Sequence, residues 1–252
     1  MKNQKTILIT GGAGFIGANL VHALLKKLPA PQIHVLTEPG TACWRLADAD
    51  WIPACAGMTQ NACTDSCPGK KSYDTIICHS RVGGNPVQSI PTIQTITIHE
   101  INLTNFERVT ALVHTIKPST IFHLASFGGF HTQSDQTTIY NVNVHGTINL
   151  LNACKSVGFD CFINTGSSSE YGMKDTPMRE DLVLEPISDY GVSKAAATQF
   201  CLKEALFNKL PIYTVRPFAV YGDYELHTRL IPTIITNTLA NTPVHLSAPH
   251  FV

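Results

Sequence analysis

Apolar positions along the chain change their period repeatedly, and the changes mark out alternating strands and helices. Lys5 to Thr10 is a short β-rich apolar run that ends in glycines. From Phe15 to Leu28 the apolar residues return at helical spacing, and the segment stops before Pro29. Ile33 to Thr37 reads as a second strand, so the opening is strand, glycine turn, helix, strand. The alternation resumes with a strand at Ile96 to Ile101 and a helix at Asn105 to Ile116, closed by Pro118. Thr120 to Leu124 is a strand, and Thr138 to Val157 a long helix capped by Gly158. Asp160 to Thr165 is a strand, Ser188 to Phe207 a helix and Pro211 to Arg216 a strand. Six strands with intervening helices predict an α/β fold with a doubly wound parallel sheet.

Between Trp44-Arg45-Leu46 and Ile96 the pattern breaks down, with no helical or strand period and many Pro, Gly, Cys and Ser residues. A structureless loop of this length inside a compact domain is itself unusual. Set antiparallel against Cys78 to Val87, nine of the ten residues of Asp50 to Thr59 can be encoded by complementary codons. Trp51 pairs with Pro86 and Met58 with His79 in this way; Cys55 against Val82 fails by one base. The expectation is an in-frame inverted repeat inserted at about residues 48–94. It is similar to translated palindromic repeats found scattered in some bacterial genomes. A core tolerates such an insertion because loop-closure cost grows only logarithmically with length. A functional cysteine-rich lid is the competing reading.

Composition changes the picture little. Hydrophobic residues make up 44% and charged ones 14%, as in a packed α/β protein. A formal net charge of zero gives no reason to expect nucleic acid or an anionic membrane as a partner. The segment Met1 to Ile9 is too short and polar for a secretory signal, and no apolar run approaches the roughly 20 residues of a membrane helix. The expected location is cytoplasmic. Five of the eight cysteines (Cys43, Cys55, Cys63, Cys67 and Cys78) fall within one short region without a CxxC pair. No metal site and no disulfide is expected from them.

Gly11, Gly14 and Gly17 stand at GxxGxxG spacing directly after a strand and at the start of an apolar helix. Residues without Cβ let backbone N–H groups approach a pyrophosphate, and the helix N-terminus faces the phosphates. The context therefore points to a dinucleotide. An acidic residue at the end of the second strand accepts hydrogen bonds from ribose hydroxyls and repels a 2′-phosphate. Glu38 stands about there, which favours NAD, while Arg45 a few positions on leaves NADP open.

Together these residues resemble the extended short-chain dehydrogenase/reductase superfamily, within it the NAD-dependent epimerase/dehydratase family acting on nucleotide sugars. The matching stretches are TGGAGFIG from Thr10, HLAS from His123, NVHGT from Asn143 and SSSEYG from Ser167. YGVSK from Tyr190 and RPFAVYG from Arg216 complete the series. The resemblance implies a Rossmann domain over 1–222, and over 223–252 the start of a truncated, incomplete small C-terminal substrate lobe. It implies Ser167, Tyr190 and Lys194 as catalytic residues. Tyr190 and Lys194 are four apart on one helix face, where an ammonium favours the phenolate. Lys194 would also hold the nicotinamide ribose, and Ser167 would bind the reacting oxygen. The cofactor would run along Gly11, Gly14, Phe15, Ile16, Gly17, Glu38, Arg45, Asn102, Leu103, Leu124, Ala125, Ser126, Asn143, Tyr190, Lys194 and Pro217.

Two departures refine the expectation. The family's 4,6-dehydratases carry Asp-Glu directly after the triad Ser/Thr, where this chain has Ser168 and Ser169. Dehydration is thereby disfavoured, Glu170 is expected to point elsewhere, and an epimerase or 4-keto-6-deoxysugar reductase fits better. Asn102 stands where relatives carry an Asp. Gly128-Gly129-Phe130-His131 would line the sugar site, with His131 as a loop residue, while Met173, Phe218 and Tyr221 read as packing residues. The alternative function is a truncated dinucleotide-binding protein without turnover. The resemblance also implies a homodimer through the helices at Asn105–Ile116 and Thr138–Val157.

Overall fold

The computed structural model describes residues 5–28, 32–46, 75–78, 94–130 and 132–244. Seven strands form one sheet: β1 (Thr6–Thr10), β2 (Gln32–Thr37), β3 (Thr75–Cys78), β4 (Gln94–Glu100), β5 (Thr120–His123), β6 (Cys161–Thr165) and β7 (Ile212–Val215), in the order β3-β4-β2-β1-β5-β6-β7. All neighbours except β3 and β4 run parallel, so the six predicted strands form the doubly wound sheet that their alternation implies.

The helices are α1 (Phe15–Lys27), α2 (Phe106–Ile116), α3 (Gln136–Tyr140), α4 (Gly146–Val157), α5 (Asp189–Phe207) and α6 (Leu230–Leu239). Because both faces of the sheet are covered at its centre, the central strand β1 is apolar on both sides. Ile7 and Ile9 of β1 point into one core with Val21 of α1 and Ile33 and Val35 of β2. Leu8, between them, joins the opposite core with Leu36, Ile121 and Phe162, against Val109 of α2 and Leu150 of α4. The period-2 alternation of β1 thus holds the two layers together.

Three elements depart from the sequence reading. Thr75–Cys78, in the segment expected to be without strand structure, pairs antiparallel with β4 as an edge strand. The two stretches compared for codon complementarity otherwise lie outside the described residues, as do Cys55, Cys63 and Cys67. The helix expected over Thr138 to Val157 starts earlier, at an Asp135 cap, and passes through a π-helical turn at Asn141–His145 before α4. Finally, α6 forms in the 223–252 region, where no helix was read from the sequence. Pro232 sits in the first turn, where its missing N–H has no intrahelical partner to lose. No residue of α6 is buried. Among the described residues no helix is long and apolar enough to cross a membrane.

Candidate active site

The chain order reverses between β1 and β5, where β1 leads outward to β2 and β4 while β5 leads to β6 and β7. A crevice at the carboxyl ends of strands opens at such a switch point. Here the loops after β1 and β5 touch. Gly11 has φ +68°, and a Cβ there would lie 2.7 Å from the Ala125 nitrogen. A Cβ on Gly17 would lie under 3.0 Å from the Gly11 carbonyl oxygen. The first turn of α1 is capped by Gly14 with no side-chain hydrogen bond and carries no acidic residue. By contrast, Asn105 and Ser188 each accept a backbone N–H at the starts of α2 and α5. The start of α1 is therefore a bare N-terminus in a cradle that admits no side chain, which suits a phosphate group.

At the end of β2 the exposed Glu38 accepts a hydrogen bond from the Asn102 amide at 2.9 Å. The Asn102 oxygen in turn accepts from the backbone N–H and hydroxyl of Thr104. Arg45 is turned toward the glycine loop, donating to the carbonyls of Tyr224 at 3.0 Å and Ala13 at 3.4 Å. Leu103 and Asn143 are placed under the crevice. Leu103 is buried in the core, and Asn143 exchanges hydrogen bonds with both backbone groups of Phe127 while donating to the Ser193 hydroxyl. Asn143 thus braces the loop that carries Ser126.

Tyr190 and Lys194 lie one turn apart on α5, near its Ser188 cap. The Ser167 and Ser126 side chains stand near the Tyr190 hydroxyl. Burial pushes this phenol above its ordinary value, the two serine hydroxyls pull it back, and the negative charge of Glu170 adds to the rise. Lys194 is not among these causes, and burial is the largest of them. Lys194 is itself only 3% exposed, and burial brings its ammonium down to about 8, opposed by Glu170 and by the Cys201 thiol.

Ser167 caps a short 3-10 turn, Ser168–Glu170, and its hydroxyl accepts the Ser169 N–H at 3.1 Å. Ser168 donates its N–H to the Pro217 carbonyl, so Pro217 braces this turn from the neighbouring strand end. Glu170 is fully buried, and its carboxylate meets the Ser167 N–H, the Thr198 hydroxyl and Arg216.

Beneath the site, His123 is 1% exposed, with Nδ1 at 2.7 Å from the Thr10 hydroxyl and Nε2 at 2.8 Å from that of Thr147. Thr147 gives its one hydroxyl hydrogen to the Asn143 carbonyl at 2.6 Å, so Nε2 must be the protonated nitrogen and Nδ1 the acceptor. Burial first, and the Lys194 charge second, lower this imidazole to about 3. It is a neutral strut.

Gly128, at φ +94°, packs against Ile139 and the Tyr190 ring, and the Arg229 guanidinium lies 4.2 Å from the Phe130 ring centroid. His131 lies outside the described residues. Met173, Phe218 and Tyr221, expected to be packing residues, are instead 63%, 56% and 67% exposed. Phe218 keeps one packing contact, its ring stacked on Tyr171 with centroids 6.5 Å apart. Sequence reasoning missed the ties of Glu170 to Thr198 and Arg216. An Arg and a Glu that flank two adjacent strand ends were the available signal.

The family model described as NAD dependent epimerase/dehydratase family matches residues 7–248. The UDP-glucuronate 4-epimerase of Thermodesulfobacterium geofontis is 31% identical over 126 residues, covering 49% of this chain and 39% of that protein. The dTDP-D-glucose 4,6-dehydratase of Dictyostelium discoideum is 26% identical over 248 residues, covering 93% of this chain and 48% of that protein. Among solved structures, a Bacillus cereus UDP-glucuronic acid 4-epimerase in complex with UDP-glucuronic acid and NAD is similar, with TM-score 0.65 and 26% identity. That match covers 94% of this chain and 64% of the other. The chain thus spans 39% to 64% of the length of these relatives.

Proposed function

The chain belongs to the NAD dependent epimerase/dehydratase family, and from that premise we propose that it binds NAD and acts on a nucleotide-linked sugar as an epimerase or 4-keto-6-deoxysugar reductase. The observation that carries this reading is Tyr190 one helical turn from a buried Lys194 on α5, with Ser167 and Ser126 near its hydroxyl. When bound, the nicotinamide supplies the hydride acceptor or donor.

The residues of the chain do the rest. Gly11, Gly14 and Gly17, with the first turn of α1 at Phe15 and Ile16, cradle the pyrophosphate. Glu38 takes a ribose hydroxyl and disfavours a 2′-phosphate, while Arg45 is engaged with backbone carbonyls of the glycine loop and residue 224. Leu124, Ala125 and Ser126 form the opposite wall, at the loop that touches Gly11. Tyr190 holds or releases the proton at the sugar oxygen, Ser167 orients that oxygen, and Lys194 presents its ammonium to the cofactor ribose. With Ser168 and Ser169 at the positions where dehydration needs an acid and a base, the reaction stops at proton and hydride exchange.

The second reading is cofactor binding without turnover. Titration with NAD(H) and NADP(H), followed by a screen of nucleotide sugars and their 4-keto-6-deoxy forms, separates the two. Tight NAD binding with conversion of one substrate is the expected result. Cofactor binding with no conversion of any substrate removes the enzymatic reading.

A further inference from the structure

Glu170 is the most heavily engaged carboxylate beside the reactive residues, and the proton and hydride chemistry above does not use it. Its Oε1 accepts the Ser167 backbone N–H and the Thr198 hydroxyl, each at 2.9 Å, and its Oε2 accepts Arg216 Nε at 2.6 Å. All three partners are donors aimed at one side chain. Only a group that accepts on both terminal atoms satisfies them; an amide would place N–H against N–H on one side. The backbone is shaped to admit this carboxylate, because a Cβ on Gly166 would lie under 3.0 Å from Oε1. Arg216 is held in turn by the Tyr171 hydroxyl at 3.2 Å and lies 5.1 Å from that ring's centroid.

We propose that Glu170 is a positioning residue for this centre: it anchors the Ser167 backbone, and so the hydroxyl that meets Tyr190, and it supplies the negative charge that accompanies the buried Lys194 ammonium. Arg216 is the counter-charge that keeps a carboxylate at this depth. Thr198, whose hydroxyl Glu170 Oε1 accepts, lies one helical turn beyond Lys194 on the same face of α5, so the carboxylate stands on the Lys194 side of that helix and opposes the fall that burial imposes on the ammonium. The chemical meaning of the proposal rests on the enzymatic reading. Its test does not.

Side-chain NMR of isotope-labelled lysine reads the Lys194 titration without any turnover, with Lys194→Arg to assign the signal. In Glu170→Gln the midpoint is expected to fall below its value near 8 by about one unit, a tenfold larger neutral fraction at pH 7. Glu170→Asp, which retains the charge, is expected to recover most of that fall. Gly166→Ala, which displaces the carboxylate without removing it, is expected to shift the midpoint in the same direction by less, and it decides the matter if Glu170→Gln does not fold. A folded Glu170→Gln or Gly166→Ala protein with an unmoved Lys194 midpoint overturns the proposal. A protein that turns over no sugar but shows the shift sinks the enzymatic reading alone.

Discussion

Arg216 Nε lies 2.6 Å from Oε2 of Glu170, a carboxylate with no solvent exposure. The pair ties the end of β7 to the turn after β6. Removing one member of a buried pair leaves a charge without its partner, which costs roughly 3–5 kcal/mol. Arg216→Met is therefore expected to lower unfolding stability by about that amount in urea titration. Combined with Glu170→Gln, the loss should be smaller than the sum of the two single losses, because the uncompensated charge is gone. Strict additivity would show that the two residues do not act as a pair.

Tyr190→Phe keeps the ring against Gly128 and removes the one proton the centre is built to move. Turnover on the identified nucleotide sugar should fall by about 10²- to 10⁴-fold. The NAD dissociation constant should barely change. Full activity in the phenylalanine variant would strip Tyr190 of its proposed part in proton transfer.

The glycine cradle makes a sharper distinction. Gly17→Ala forces a methyl against the Gly11 carbonyl, whereas Gly129 has nothing within 4 Å of where its Cβ would stand. Calorimetric NAD titration should show at least about tenfold weaker binding for Gly17→Ala, a loss of some 1.4 kcal/mol or more. Gly129→Ala should bind as the parent does. Equal affinities in the two variants would argue against the close approach of backbone and cofactor.

His123 gives the fold an acid limit. Its native imidazole titrates at about 3, against 6.5 when unfolded, so between those values the unfolded chain binds more protons. Stability is fully present above pH 6.5 and falls as the pH drops toward 3, by up to about 1.36 kcal/mol per pH unit for this one group. His34, lowered to about 4 by burial and by its neighbour His99, adds to the same limb. The slope of unfolding free energy between pH 4 and 6 should shrink in His123→Gln. An unchanged slope would mean that the imidazole is not the buried, neutral group described.

Much of this architecture is legible in the sequence because its signals are local. The strand period of Thr6–Thr10, the glycines after it and the helical period from Phe15 need no knowledge of the rest of the chain. What escaped depends on distant partners. Thr75–Cys78 is a strand only because β4 offers an edge. Glu170 reads as a neighbour of reactive serines, yet it belongs to Arg216, 46 residues away. The net shift of Tyr190 follows from burial, which a spacing of four along a helix does not reveal. The exposure of Met173, Phe218 and Tyr221 was hidden for the opposite reason, since apolar residues are ordinarily read as interior.

The π-helical turn at Asn141–His145 divides one continuous helix into two segments with different neighbours: α3 and the turn pack on α5, while α4 packs on α2. A residue more or less in an α-helix rotates everything beyond it by about 100°. Wound as regular α-helix with all its residues, this stretch would swing one segment out of phase with its partner. Either the Asn143 brace beneath Phe127 or the seating of Leu150 and Leu151 in the core would be lost. Surface loops elsewhere in the chain accept length changes cheaply, but this stretch of helix keeps count: its number of residues is as much a part of the site as their identities.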